Sequence, residues 1–142
     1  MIKLIDKNNY VEIDIVNSED DNLQSHGDAY VTVVISSNGF SGHNDLWVFH
    51  SSLQSFCRNL IRLEADRKGE ATLESISPDE LILKVFSVNS RGHMGVKGIT
   101  GYSIQCENSS FNHSVSFGFE FDPSQLVDAI HVDWVKRYGA EP

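Results

Sequence analysis

The sequence predicts an α+β fold: an antiparallel β-sheet with two α-helices packed on one face. Three observations predict it. Apolar residues alternate with polar ones in several separate stretches, which is the period of a half-buried strand. Two other stretches place apolar residues three and four apart, which is the period of a helix. Some neighbouring strands are joined by turns too short for a crossover, so they pair antiparallel. The 142 residues are the length of one domain, taken as 1–142, and can bury a core without a metal or disulfide.

"YVEIDIV" sets Val11, Ile13 and Ile15 against Glu12 and Asp14, a strand with one wet face. "VNSEDDNLQSHGD" loses all periodicity and is a loop. "AYVTVVISS" resumes as a strand, and Asn38-Gly39 supplies the positive φ of a tight turn. A short strand leads from there to the first helix, with Phe40, Trp47 and Phe49 expected to pack beneath the helices. Leu53, Phe56, Cys57, Leu60 and Ile61 form one face of that helix. Ser51 or Ser52 is placed to cap its start and Gly69 to end it.

"EATLESI" and "LILKVFSV" are two strands turned at "SPDE". "NSRGHMGVKGITG" is glycine-punctuated and reads as a hairpin loop, with "YSIQC" a strand after it. "HSVSFGFEF" alternates Val115, Phe117, Phe119 and Phe121 against Ser114, Ser116, Gly118 and Glu120, the clearest strand in the chain. Asp122-Pro123 opens the second helix, with Gln125 at the capping-box position. Leu126, Ile130 and Trp134 mark its buried face, and Gly139 closes it.

The formal net charge of −9 disfavours nucleic-acid binding, which draws its affinity from basic side chains on phosphates. It suits a protein that meets a basic partner. Between Lys7 and Arg58 there is no lysine or arginine, while the same window holds seven acids. Four of them, Glu19, Asp20, Asp21 and Asp28, fall in or at the end of the non-periodic loop and are the expected partner-facing residues. The first residues carry no apolar core of a signal peptide, and no run is long and apolar enough to span a bilayer, so the expected location is cytoplasmic. Cys57 and Cys106 are then expected to be buried thiols.

No chemical motif emerges. The six histidines form no HxH, HxxxH or mixed Cys/His pair, so no metal ligand is assigned. "GFSG" around Ser41 lacks the spacing and the strand-to-helix context of a nucleophile elbow. Neither phosphate-binding glycine motif is present, and no cofactor is expected. No catalytic residue is assigned. The alternatives to a binding protein are a small enzyme or ligand-binding domain whose site assembles only on folding, and a purely structural domain.

Five segments, "VVISSNGFSGHNDLWV", "LQSFCRNLIRLE", "GEATLESISPDELILKV", "RGHMGVKG" and "HSVSFGFEFDPSQL", taken in this order, resemble the WapI-like immunity proteins and their relatives. The resemblance runs from about Ala29 to Val135. It implies a non-enzymatic role: neutralising, by binding, a toxin delivered by competing or sister cells, often a nuclease domain. It supplies no catalytic residues. A nuclease toxin binds phosphate and tends to be basic, so an acidic inhibitor would meet it with complementary charge.

Overall fold

The computed structural model describes residues 1–17 and 28–140. Four strands come first: β1 (Ile2–Asp6), β2 (Asn9–Asn17), β3 (Ala29–Ser37) and β4 (Phe40–Val48). Helix α1 (His50–Asp66) follows, then β5 (Glu70–Glu74), β6 (Leu81–Ser87), β7 (Met94–Gln105) and β8 (Ser110–Phe121). Two short helices, α2 (Gln125–Ile130) and α3 (Asp133–Gly139), complete the order. All pairing is antiparallel and the class is α+β, as the periodicities predict. The strands divide, however, between two four-stranded meanders, β1-β2-β3-β4 and β5-β6-β7-β8, with α1 between them in the chain.

Turn chemistry sets the register. The β3–β4 hairpin turns on Asn38 and Gly39, with φ of 51° and 87°, so both central residues take the left-handed values that a two-residue primed turn requires. β1 was not expected, although Ile2 and Leu4 alternate with Lys3 in the sequence. It pairs with β2 across a second two-residue turn, in which Lys7 has φ 58°.

Every strand contributes alternate residues to one continuous core. Val31, Val33 and Ile35 come from β3, and Leu81, Leu83 and Val85 from β6. α1 adds Leu53, Phe56, Cys57, Leu60 and Leu63. α1 lies against β5 and the two C-terminal helices, while β8 reaches across to β1, β3 and β4. Ser37 Oγ spans that junction, donating to the Gly118 carbonyl (3.4 Å) and accepting from its N–H (3.2 Å). This satisfies backbone groups that β7 does not reach.

Several expectations are corrected. Phe40 is 70% exposed, and Trp47 and Phe49 are also exposed rather than covered by helices. Trp47 projects from the wet side of β4, opposite Leu46 and Val48, and Phe49 lies in the link to α1; Phe40 has the same parity as Leu46 and Val48 but sits beside the β3–β4 turn. α1 has no serine cap: it starts at His50, so Ser51 and Ser52 lie inside its first turn, and the N-cap is Phe49. It ends at Asp66 with Arg67 left-handed (φ 59°), two residues before Gly69, and the Arg67 N–H donates to the Leu63 carbonyl. "MGVKGITG" is the first part of β7, not loop. Its glycines fit a sheet interior, where a Cβ on Gly98 or Gly101 would meet neighbouring backbone.

The second helix is broken. Val132 is extended (φ −62°, ψ 134°), so α2 and α3 are separate. The break lets Leu126 and Ala129 of α2, and Trp134 and Val135 of α3, all reach the core. Gln125 does not close a capping box. Its side chain accepts from the Ile5 N–H (2.7 Å) and donates to the Ile5 carbonyl (2.8 Å), covering part of the open edge of β1. Asp122 does act locally, accepting from the Ser124 backbone N–H at 2.9 Å. That bond holds its carboxyl below the ordinary carboxylate range. The preference favours the fold at neutral pH and is lost as pH falls through the lowered value.

Both cysteines are free, but only Cys57 is buried; Cys106 is exposed at the β7–β8 turn, against expectation. Burial pushes the Cys57 thiol up to about 12, so it holds little of the reactive thiolate. In the native protein one thiol, Cys106, is expected to react rapidly with a thiol reagent, and Cys57 only on unfolding. Two fast thiols under native conditions would contradict the position of α1.

Candidate functional site

Glu19, Asp20 and Asp21 lie outside the described residues. Asp28 lies within them, at the foot of β3, and has a structural task. Its Oδ1 accepts from the His50 backbone N–H at 2.8 Å, satisfying a free donor at the start of α1. It is a cap from a distant part of the chain, which local spacing does not reveal.

The other acids of the same window have partners too. Glu12 pairs with Lys3 across β1–β2 at 3.3 Å. Asp14 accepts from the Trp134 indole N–H at 3.1 Å and lies 3.7 Å from the N-terminal amine. Asp45 lies 3.2 Å from His43 Nε2, which is also 3.0 Å from Thr32 Oγ1. These solvent-facing pairs contribute little stability. They leave the carboxylates at the surface, where their field reaches solvent.

A cleft of about 180 Å³ runs along the seam where β4 meets β7 and β8. His43, Asn44, Thr100, Tyr102, His113 and Ser114 are among its lining residues. Its floor is fixed by Asn44, whose amide donates to the carbonyls of Glu80 (3.2 Å) and Gly101 (2.9 Å) and to Thr100 Oγ1 (3.1 Å). Thr100 is buried and donates in turn to the Glu80 carbonyl at 2.5 Å. The network joins three segments far apart in sequence, and each donor serves the fold. On the same seam a Cβ on Gly42 would lie 2.8 Å from the Val115 side chain, so glycine permits the close approach of β4 and β8.

Among the described residues neither Ser41 nor Ser114 is hydrogen-bonded to a histidine, and His113 lies beside Tyr102 with ring centroids 5.5 Å apart. Among the described residues no group of three His, Cys, Asp or Glu side chains could hold a metal. No helix among them is long and apolar enough to cross a membrane.

Beyond the cleft, β7 and β8 continue as a two-stranded ribbon, from Gly101 opposite Ser114 to Gln105 opposite Ser110. The Cys106 N–H donates to the Ser109 carbonyl (2.7 Å) and closes it. Sequence reading passed over this feature, because "YSIQC" looks like any short strand. The register shows that it projects past the sheet.

The structure defines an α+β protein with a shallow polar seam, in a chain whose acids outnumber its bases, 20 to 11. The chain belongs to the immunity protein WapI-like family, which matches it over residues 1–132. The match starts earlier than the sequence resemblance and takes in β1 and β2. Comparisons with curated proteins and with solved structures gave no match.

Proposed function

We propose that this protein is a non-enzymatic, cytoplasmic immunity protein that acts as one domain and neutralises a basic toxin domain, such as a nuclease, by binding it. Membership of the immunity family carries the proposal, and the net charge of −9 supports it. A negative field draws a cationic partner into encounter and disfavours partners of like charge. Blocking by binding requires a complementary surface and no chemistry, consistent with side chains that are committed to the fold along the seam.

Glu19, Asp20, Asp21 and Asp28 are the proposed steering residues. The test is association kinetics with the basic toxin domain that the protein captures from its native organism, in a catalytically inactive form. Converting all four acids to Asn or Gln is expected to slow association about tenfold at low salt, with little change once salt screens the field. Asn at position 28 still offers an oxygen to the His50 N–H, so the α1 cap survives. Equal rates for variant and parent at low salt would remove these acids from the encounter surface. No binding by the parent would overturn the immunity assignment.

A further inference from the structure

The β7–β8 ribbon carries the core-facing side of its sheet beyond the core. On β8 the buried residues Phe117 and Phe121 share a face with Val115, His113 and Phe111. On β7 the same face holds Met94 and Val96, then Thr100, Tyr102 and Ile104. Cross-strand pairing confirms the match: Tyr102 stands opposite His113 and Ile104 opposite Phe111. Inside the domain this face is buried. On the ribbon it is open, with Tyr102 48%, Ile104 44% and Phe111 55% exposed. The opposite face is polar, where Ser103 donates to Asn112. The ribbon is therefore amphipathic, and its apolar side faces solvent.

The charge around it has one sign. Asp79 and Glu80 line a second hollow that touches Tyr102 and His113. Asp45 stands beside the first cleft, and Glu107 lies in the ribbon's turn. No lysine or arginine occurs in residues 40–48, 75–83 or 98–115, the three segments that build this end of the protein. The chain's bases lie elsewhere, for example on α1, on α3 and at Lys84 and Lys97.

We propose that the apolar face of this ribbon, with the adjoining β4 seam, is the docking surface for a cationic protein: the toxin domain whose neutralisation is proposed above, on which this inference rests. Tyr102, Ile104 and Phe111 are the apolar anchors, and Asp45, Asp79, Glu80 and Glu107 form the acidic rim. Buried aromatic and aliphatic anchors inside a charged rim are the usual energetic layout of a tight interface. A second copy of this chain is the poorer occupant, because two such surfaces would bring like charges together at a net −9 per chain.

The variants are Ile104→Ser with Phe111→Ser, and separately Tyr102→Ala. All three side chains are exposed, so the melting temperature is expected to stay at the parent value. Binding to the inactive toxin domain is measured by calorimetry, with hydrogen exchange of the complex alongside. The double variant is expected to bind about a hundredfold more weakly and Tyr102→Ala about tenfold. Amides of residues 101–114 are expected to gain protection in the parent complex. Parent-like affinity in a folded double variant, or no added protection at 101–114, would overturn the ribbon while leaving the immunity function standing. Sedimentation showing that the chain dimerises through the ribbon would also overturn it. Failure of the parent itself to bind would remove both.

Discussion

Phe117→Ala is expected to destabilise the fold by about 3–5 kcal/mol, while Ser116→Ala, one residue away, is nearly neutral. Phe117 is buried between the two sheets, and Ser116 is exposed on the opposite face of β8. The pair therefore tests the orientation of the strand as well as the worth of one ring. Truncation removes the transfer free energy of the ring and leaves a cavity that the rigid meander can fill only in part. Against a total stability of roughly 5–15 kcal/mol for a domain, the loss is large. Urea unfolding should show the midpoint falling for Phe117→Ala with an unchanged slope. A larger loss for Ser116→Ala would mean that β8 faces the other way.

Gly98→Ala is expected to cost about 3 kcal/mol, the upper end for overpacking, although Gly98 has no positive φ. The cause is steric. A Cβ there would overlap the Ile82 carbonyl oxygen on β6 and lie 2.9 Å from the tip of the Phe117 ring, across the sheet. The ring could shift, but the backbone carbonyl belongs to a paired strand and could not move without opening the β6–β7 ladder. Combining Gly98→Ala with Phe117→Ala therefore recovers only the part due to the ring. Gly118→Ala makes a useful control: its Cβ would approach nothing closer than 3.4 Å, and the N–H and carbonyl that meet Ser37 are retained. Thermal unfolding of the four variants resolves the two contacts. Full rescue by Phe117→Ala would show that the ring alone excludes a Cβ at position 98.

Local pattern was informative wherever the deciding physics is local. Alternation located β2, β3 and β8, helical spacing located α1, and Asn38-Gly39 marked its hairpin, because backbone sterics at those two residues limit the turn. The core residues of α1 were visible for the same reason. Composition also showed the excess of acid and the base-free windows, which no folding event alters. The resemblance located the family, and the family's match bears it out over residues 1–132.

What depends on distant residues could not be read from spacing. The cap of α1 comes from Asp28, twenty-two positions away, and Gln125 serves β1 from the far end of the chain. Phe40, Trp47 and Phe49 look like core residues by type, yet whether an aromatic is buried depends on which layer lies over it, and none of the described elements covers them. The ribbon shows the same division most clearly. The sequence by itself placed Tyr102 and Ile104 two apart in one strand, and the register of the folded sheet added Phe111 to their side. Only the tertiary structure decided that they lie past the end of the opposing sheet, because burial is a property of the partner layer and its extent, and no strand encodes the length of its neighbour.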